Sequence, residues 1–202
     1  MKKIIQYTAL GFLLIVLPLG SFYYLKKGFN FQLENLKMLE PKGELPAFSY
    51  LSNQGDTINS KLVSGSPHVV HFFSDDENSL KLLHQITQQF KDKDVHLISY
   101  LPNTDFDYKS ILKKYNIEID KTKSNWHFIT IKNEAELSEL LSMYRLSPND
   151  KNNILIIGKD LKIRGYYDEN NDKFEDVLVR HVALMLPKDK KAEIGFKRTK
   201  EK

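Results

Sequence analysis

The chain has 202 residues, a formal net charge of +4 and no cysteine. The missing cysteine excludes thiol redox catalysts, cysteine nucleophiles and cysteine-based metal sites, while saying little about compartment. Once a terminal membrane segment is set aside, the remaining length suits one domain with its own core.

The charge is unevenly placed. From Pro187 onward there are seven basic residues (Lys188, Lys190, Lys191, Lys197, Arg198, Lys200 and Lys202) and three acidic ones (Asp189, Glu193 and Glu201). That difference equals the whole net charge, so the rest of the chain is balanced. The segment 188–202 is expected to be a basic, disordered and solvated tail rather than a nucleic-acid arm.

Ile4 to Leu25 carries no charge and is bounded by Lys2-Lys3 and Lys26-Lys27. At about 1.5 Å per residue such a helix spans a ~30 Å hydrocarbon core. Tyr23 and Tyr24 fall where an interfacial aromatic belt would sit, and Pro18 is a place for a kink that lipid tolerates. No small-x-small cleavage site follows the run, so residues 1–27 read as an uncleaved anchor rather than a signal peptide. Positive residues on both flanks leave the orientation open. Residues 28–42 contain apolar side chains without clean periodicity and read as a connector.

The domain is expected to occupy 43–187. Leu45 to Leu51 and Thr57-Ile58 flank Asn53-Gln54-Gly55-Asp56, which predicts a hairpin. Val69 to Phe73 reads as a buried strand. Beyond a short acidic turn, Leu80, Leu83, Ile86 and Phe90 recur at helical spacing. Ser74 and Glu77 stand at capping-box distance, predicting a helix that starts there. Val95 to Tyr100 is a second strand, Asp107 to Tyr115 a helix, and Trp126 to Ile131 a third strand. Asn133 with Glu136 opens a helix over Ala135 to Tyr144. Ile154 to Ile157 and Lys162 to Tyr167 form a hairpin across Gly158 to Leu161. Phe174, Val177, Leu178, His181, Val182 and Met185 lie at helical spacing, and Pro187 stops the run. This order predicts an α/β fold: a thioredoxin-like mixed sheet covered on both faces, with an N-terminal hairpin extension and one preceding transmembrane helix.

In such sheets chemistry sits in the loop that leaves the carboxyl end of a central strand, here Ser74, Asp75, Asp76 and Glu77. Carboxylates at that place could bind a hard cation or act as a base, but a helix start uses the same residues to satisfy free N–H groups. The six histidines show no ligand spacing; His68 and His71, three apart on a strand, point to opposite faces. Asp168-x-Asn170-x-Asp172 has the opening of a calcium loop, yet Lys173 and Val179 stand where that loop needs Gly and Glu. No nucleophile elbow, phosphate loop or dinucleotide fingerprint is present. No cofactor and no enzymatic activity are expected from these residues.

Four stretches stand out together: Glu44-Leu45-Pro46-Ala47-Phe48 with Asn53-Gln54-Gly55-Asp56, Val69-Val70-His71-Phe72-Phe73, Trp126-His127-Phe128-Ile129-Thr130, and the hairpin Ile156 to Asp168 with its Ile163-Arg164-Gly165-Tyr166-Tyr167-Asp168. They resemble the Sco/SenC family of membrane-anchored thioredoxin-like proteins, which help assemble the copper site of cytochrome c oxidase. The family carries two cysteines in the loop after the central strand and a copper-ligating histidine before the final hairpin. On this resemblance the cysteine positions fall near Asp76 and Leu80, and the histidine position near Asp150 or Lys151. No thiolate or imidazole stands there to hold soft Cu(I). The resemblance therefore implies a membrane-anchored, non-catalytic member with its soluble domain on the periplasmic face. A partner would be an oxidase subunit or assembly factor, docked through Ser74 to Glu77. Two alternatives stand beside it: a metal-binding protein using His and carboxylate ligands, and a pseudo-redox partner of a cysteine-bearing paralogue.

Overall fold

A computed structural model describes Tyr7, residues 10–119 and residues 125–186. The first residues of the expected anchor and the basic tail 188–202 lie outside the described residues.

One apolar helix precedes the domain. A π-helical turn, Phe12–Val16, leads into α1, Leu17–Met38, and together they form a 27-residue helix long and apolar enough to cross a membrane. The π turn ends two residues before Pro18, whose ring and missing N–H disturb the bond to the turn before it. The helix does not end at Lys27: residues 28–38, expected to be an irregular connector, are helical. Gln32, Leu33, Glu34, Leu36, Lys37 and Met38 are all good helix formers and outweigh Gly28. The extension is held on the domain. The Arg180 guanidinium lies 4.7 Å from the Phe31 ring centre and 3.4 Å from Asn35 Oδ1. Arg164 donates to the Leu39 carbonyl at 3.2 Å.

The strands are β1 Gly43–Glu44, β2 Ser49–Leu51, β3 Thr57–Asn59, β4 His68–Phe72, β5 His96–Leu101, β6 Trp126–Thr130, β7 Ile154–Ile157 and β8 Lys162–Tyr167. The helices after α1 are α2 Ser60–Val63, α3 Glu77–Gln89, α4 Tyr108–Lys114, α5 Glu134–Met143 and α6 Phe174–Met185. Six strands form one sheet in the order β1-β8-β7-β4-β5-β6, and β2 and β3 form the predicted hairpin apart from it. β4, β5 and β6 run parallel; β7 is antiparallel to β4 and to β8. The fold is the mixed α/β sheet that the alternating pattern predicts.

Both faces of the sheet are buried, which is why its central strands read as continuous apolar runs. On one face Val69, Leu97, Trp126, Phe128 and Ile156 pack against Leu80, Leu83 and Ile86 of α3 and Leu178 and Val182 of α6. On the other, Val70, Ile98, Tyr100, Ile129 and Leu155 meet Leu140 of α5, Val63 of α2 and Ile58 of the hairpin. The buried Tyr100 and Tyr144 hydroxyls bond to each other at 3.0 Å. Gly165 lies opposite Ile156 in the β7–β8 ladder, and a Cβ placed there would meet the Tyr167 hydroxyl at 2.5 Å.

Candidate functional site

The carboxyl end of β4 opens into Ser74 to Asp76 and then α3. The capping-box spacing predicts Ser74 as the cap; the helix is capped by Asp76 instead. Asp76 is extended, and its carboxylate accepts from the Ser79 N–H at 2.7 Å. Asp is as good a cap as Ser and sits where the helix begins, two residues on. Ser74 is thereby released, and its hydroxyl donates to Glu169 Oε2 at 2.8 Å, tying this loop to the one that follows β8. Asp75 and Glu77 are exposed; Asp75 faces the Lys114 ammonium at 3.4 Å and Glu77 pairs with Lys81 one turn along.

Leu80 and Asp150, the other two positions singled out by the sequence resemblance, are also in structural use. Leu80 is fully buried in the core under α3. Asp150 accepts from the Ser147 N–H at 2.7 Å and closes the turn before β7. Among the described residues, no group of three His, Asp or Glu side chains converges to hold a metal ion. The Asp168 loop likewise folds on itself: Asp168 Oδ1 accepts from the backbone and side-chain amides of Asn170 at 2.9 Å.

Beneath the loop lies a buried polar line across three strands. The Trp126 indole donates to Ser99 Oγ at 2.8 Å, and Ser99 stands 3.3 Å from His71 Nδ1. His71 Nε2 has no hydrogen-bond partner among the described residues. Burial holds His71 neutral, with its pKa lowered to about 3 despite the opposing pull of Asp76. His68, on the opposite face of β4, is equally buried and is likewise lowered to about 3, first by burial and then by the charge of His96. His181 meets the Tyr167 hydroxyl at 2.6 Å within the core.

What the single chain conceals is the meeting of His96 and His127. His96 opens β5 and His127 is the second residue of β6; they stand on the same face and bring His96 Nδ1 within 3.4 Å of His127 Nε2. A parallel register between two strands was the signal needed to find them, since 31 positions separate them in sequence.

No protein-family profile matches the chain, and no curated protein matches it in sequence. Solved structures do match in three dimensions. BsSco, described as a member of the Sco family of cytochrome c oxidase assembly proteins, is 18% identical, with a TM-score of 0.52 over 72% of this chain and 95% of that one. An SCO1/SenC family lipoprotein from Bacillus anthracis is also 18% identical, at a TM-score of 0.53 over 72% of this chain and 97% of that one. A putative protein disulfide isomerase from Bacteroides thetaiotaomicron is 14% identical, at 0.55 over 71% and 89%. At such identities the likeness establishes the fold: the domain is thioredoxin-like, and Sco/SenC proteins are among its structural neighbours.

Proposed function

We propose that this chain is a membrane-anchored, non-catalytic Sco-like protein that binds a partner during assembly of a respiratory, cytochrome c oxidase-type membrane complex. The observation that carries this reading is a retained scaffold whose ligand positions have been given to the fold. Asp76 caps a helix, Leu80 fills the core and Asp150 closes a turn. A chain without cysteine has no thiol to cycle and no thiolate pair for Cu(I). The fold, the neighbouring Sco structures and the N-terminal apolar helix support the setting.

In this reading residues 1–27 anchor the chain, residues 43–187 form the domain on the periplasmic face of the inner membrane, and 188–202 is a separate basic tail. The exposed carboxylates of Asp75 and Glu77, with Ser74 and Asp76 beside them, form the docking loop at the end of β4 where relatives carry their chemistry. A partner presenting basic side chains fits them.

The test is complementation. Cells lacking the gene should show less assembled oxidase by haem spectra, restored by the wild-type gene and by less of the D75N/E77Q double variant. Those two substitutions leave the Asp76 cap in place. Unchanged oxidase levels in the deletion would overturn the assembly role; full rescue by D75N/E77Q would remove the loop from it.

A further inference from the structure

The histidine pair lies at the amino-terminal ends of β5 and β6, away from the Ser74–Glu77 loop and independent of the function proposed for it. His96 is 7% exposed; its Nε2 stands 3.2 Å from the carboxylate of Asp94, which also accepts from Ser66. That carboxylate fixes the tautomer: His96 carries its proton on Nε2 and turns the lone pair of Nδ1 toward His127. The 3.4 Å between Nδ1 and the Nε2 of His127 makes at most a long, weak hydrogen bond. Two nitrogens about 2.0–2.1 Å from a tetrahedral ion stand about 3.3–3.4 Å apart, whereas adjacent corners of a square would bring them to about 2.9 Å. A carboxylate behind an imidazole is the arrangement that orients zinc-binding histidines.

We propose that His96 Nδ1 and His127 Nε2 form a two-histidine site for a zinc-class divalent ion, with Asp94 orienting His96 from behind and water completing the tetrahedron. On binding, His127 carries its proton on Nδ1. One further group favours a cation there: Asp56, in the exposed turn of the β2–β3 hairpin, places a negative charge near His127. His68, fully buried, lies in register with His96 on the same face. His127 is half-buried, so the site is open to solvent on the β6 side.

The experiment is a calorimetric titration of Zn(II) into the full-length protein in detergent after chelator stripping, repeated with variants. One ion per chain is expected. His127→Gln and His96→Gln should each weaken binding at least tenfold, and Asp94→Asn should weaken it about tenfold, as loss of an outer carboxylate does. His84→Gln, in α3, should leave it unchanged. X-ray absorption of the loaded protein should show two imidazoles, a readout that does not depend on the variants folding. Failure of the wild-type protein to bind Zn(II), undiminished affinity in both His96→Gln and His127→Gln, or a zinc shell without two imidazoles would overturn the site.

Discussion

Lowering the pH from 7 to 5 should cost this domain much of its stability, through two histidines locked inside the sheet. His68 and His71 are buried on opposite faces of β4, each with its pKa lowered to about 3 by burial. In the unfolded chain each takes up a proton near pH 6.5, the ordinary value. Above 6.5 both states are neutral and no penalty exists. Below it the unfolded state holds up to two more protons, so stability falls with pH until about 3, where the folded histidines titrate as well. Each contributes about 1.4 kcal/mol per pH unit, hence about 2 kcal/mol each and about 4 kcal/mol together by pH 5. Against a typical domain stability of about 5–15 kcal/mol that is a large share. Urea unfolding of the detergent-solubilised protein at pH 7, 6 and 5, with chelator present, reads this directly. His71→Leu should remove about 2 kcal/mol of the loss at pH 5 while leaving the sign of the slope, because His68 and His127, the latter lowered to about 4, still contribute. Stability independent of pH between 6.5 and 5, or a slope untouched by His71→Leu, would refute the neutral, buried state of these rings.

Three further outcomes are expected. Gly165→Ala should destabilise the fold by about 1–3 kcal/mol in urea unfolding, because the new methyl meets the Tyr167 side chain at 2.5–2.8 Å. Asp76→Ala should cost about 1 kcal/mol by the same assay through loss of the α3 cap, and Ser74→Ala should cost less, since Ser74 does not cap. Arg180→Ala should loosen the extension of α1 from the domain, seen as faster hydrogen exchange over residues 31–39 with the β4–β5 core unchanged, because it removes the cation–π contact with Phe31 and the bond to Asn35.

The parts of the fold that follow from local patterning were readable in the sequence. The β7–β8 hairpin and α6 occupy the predicted residues because turn chemistry and helical spacing are both local signals. The start of α3 was misplaced by two residues, since Ser74 and Asp76 are equally good caps and only the tertiary bond from Ser74 to Glu169 decides between them. The helix over 28–38 escaped because its contact with the domain is made by Arg180, which is distant in sequence, so no amphipathic period marks it. At the site, the absence of cysteine and the use of the acidic turn to cap a helix were plain, but the structural duties of Leu80 and Asp150 were not. The approach of His96 to His127 depends on strand register, which a single sequence does not display.

The most direct test of the central claim is a crosslinked capture from native membranes with a tag placed after Lys202. Oxidase subunits or their assembly factors should dominate the captured proteins, and fewer should be recovered with D75N/E77Q. Their absence, with a thiol-bearing Sco-like protein or an unrelated complex captured instead, would contradict the proposed role while leaving the thioredoxin-like fold as described.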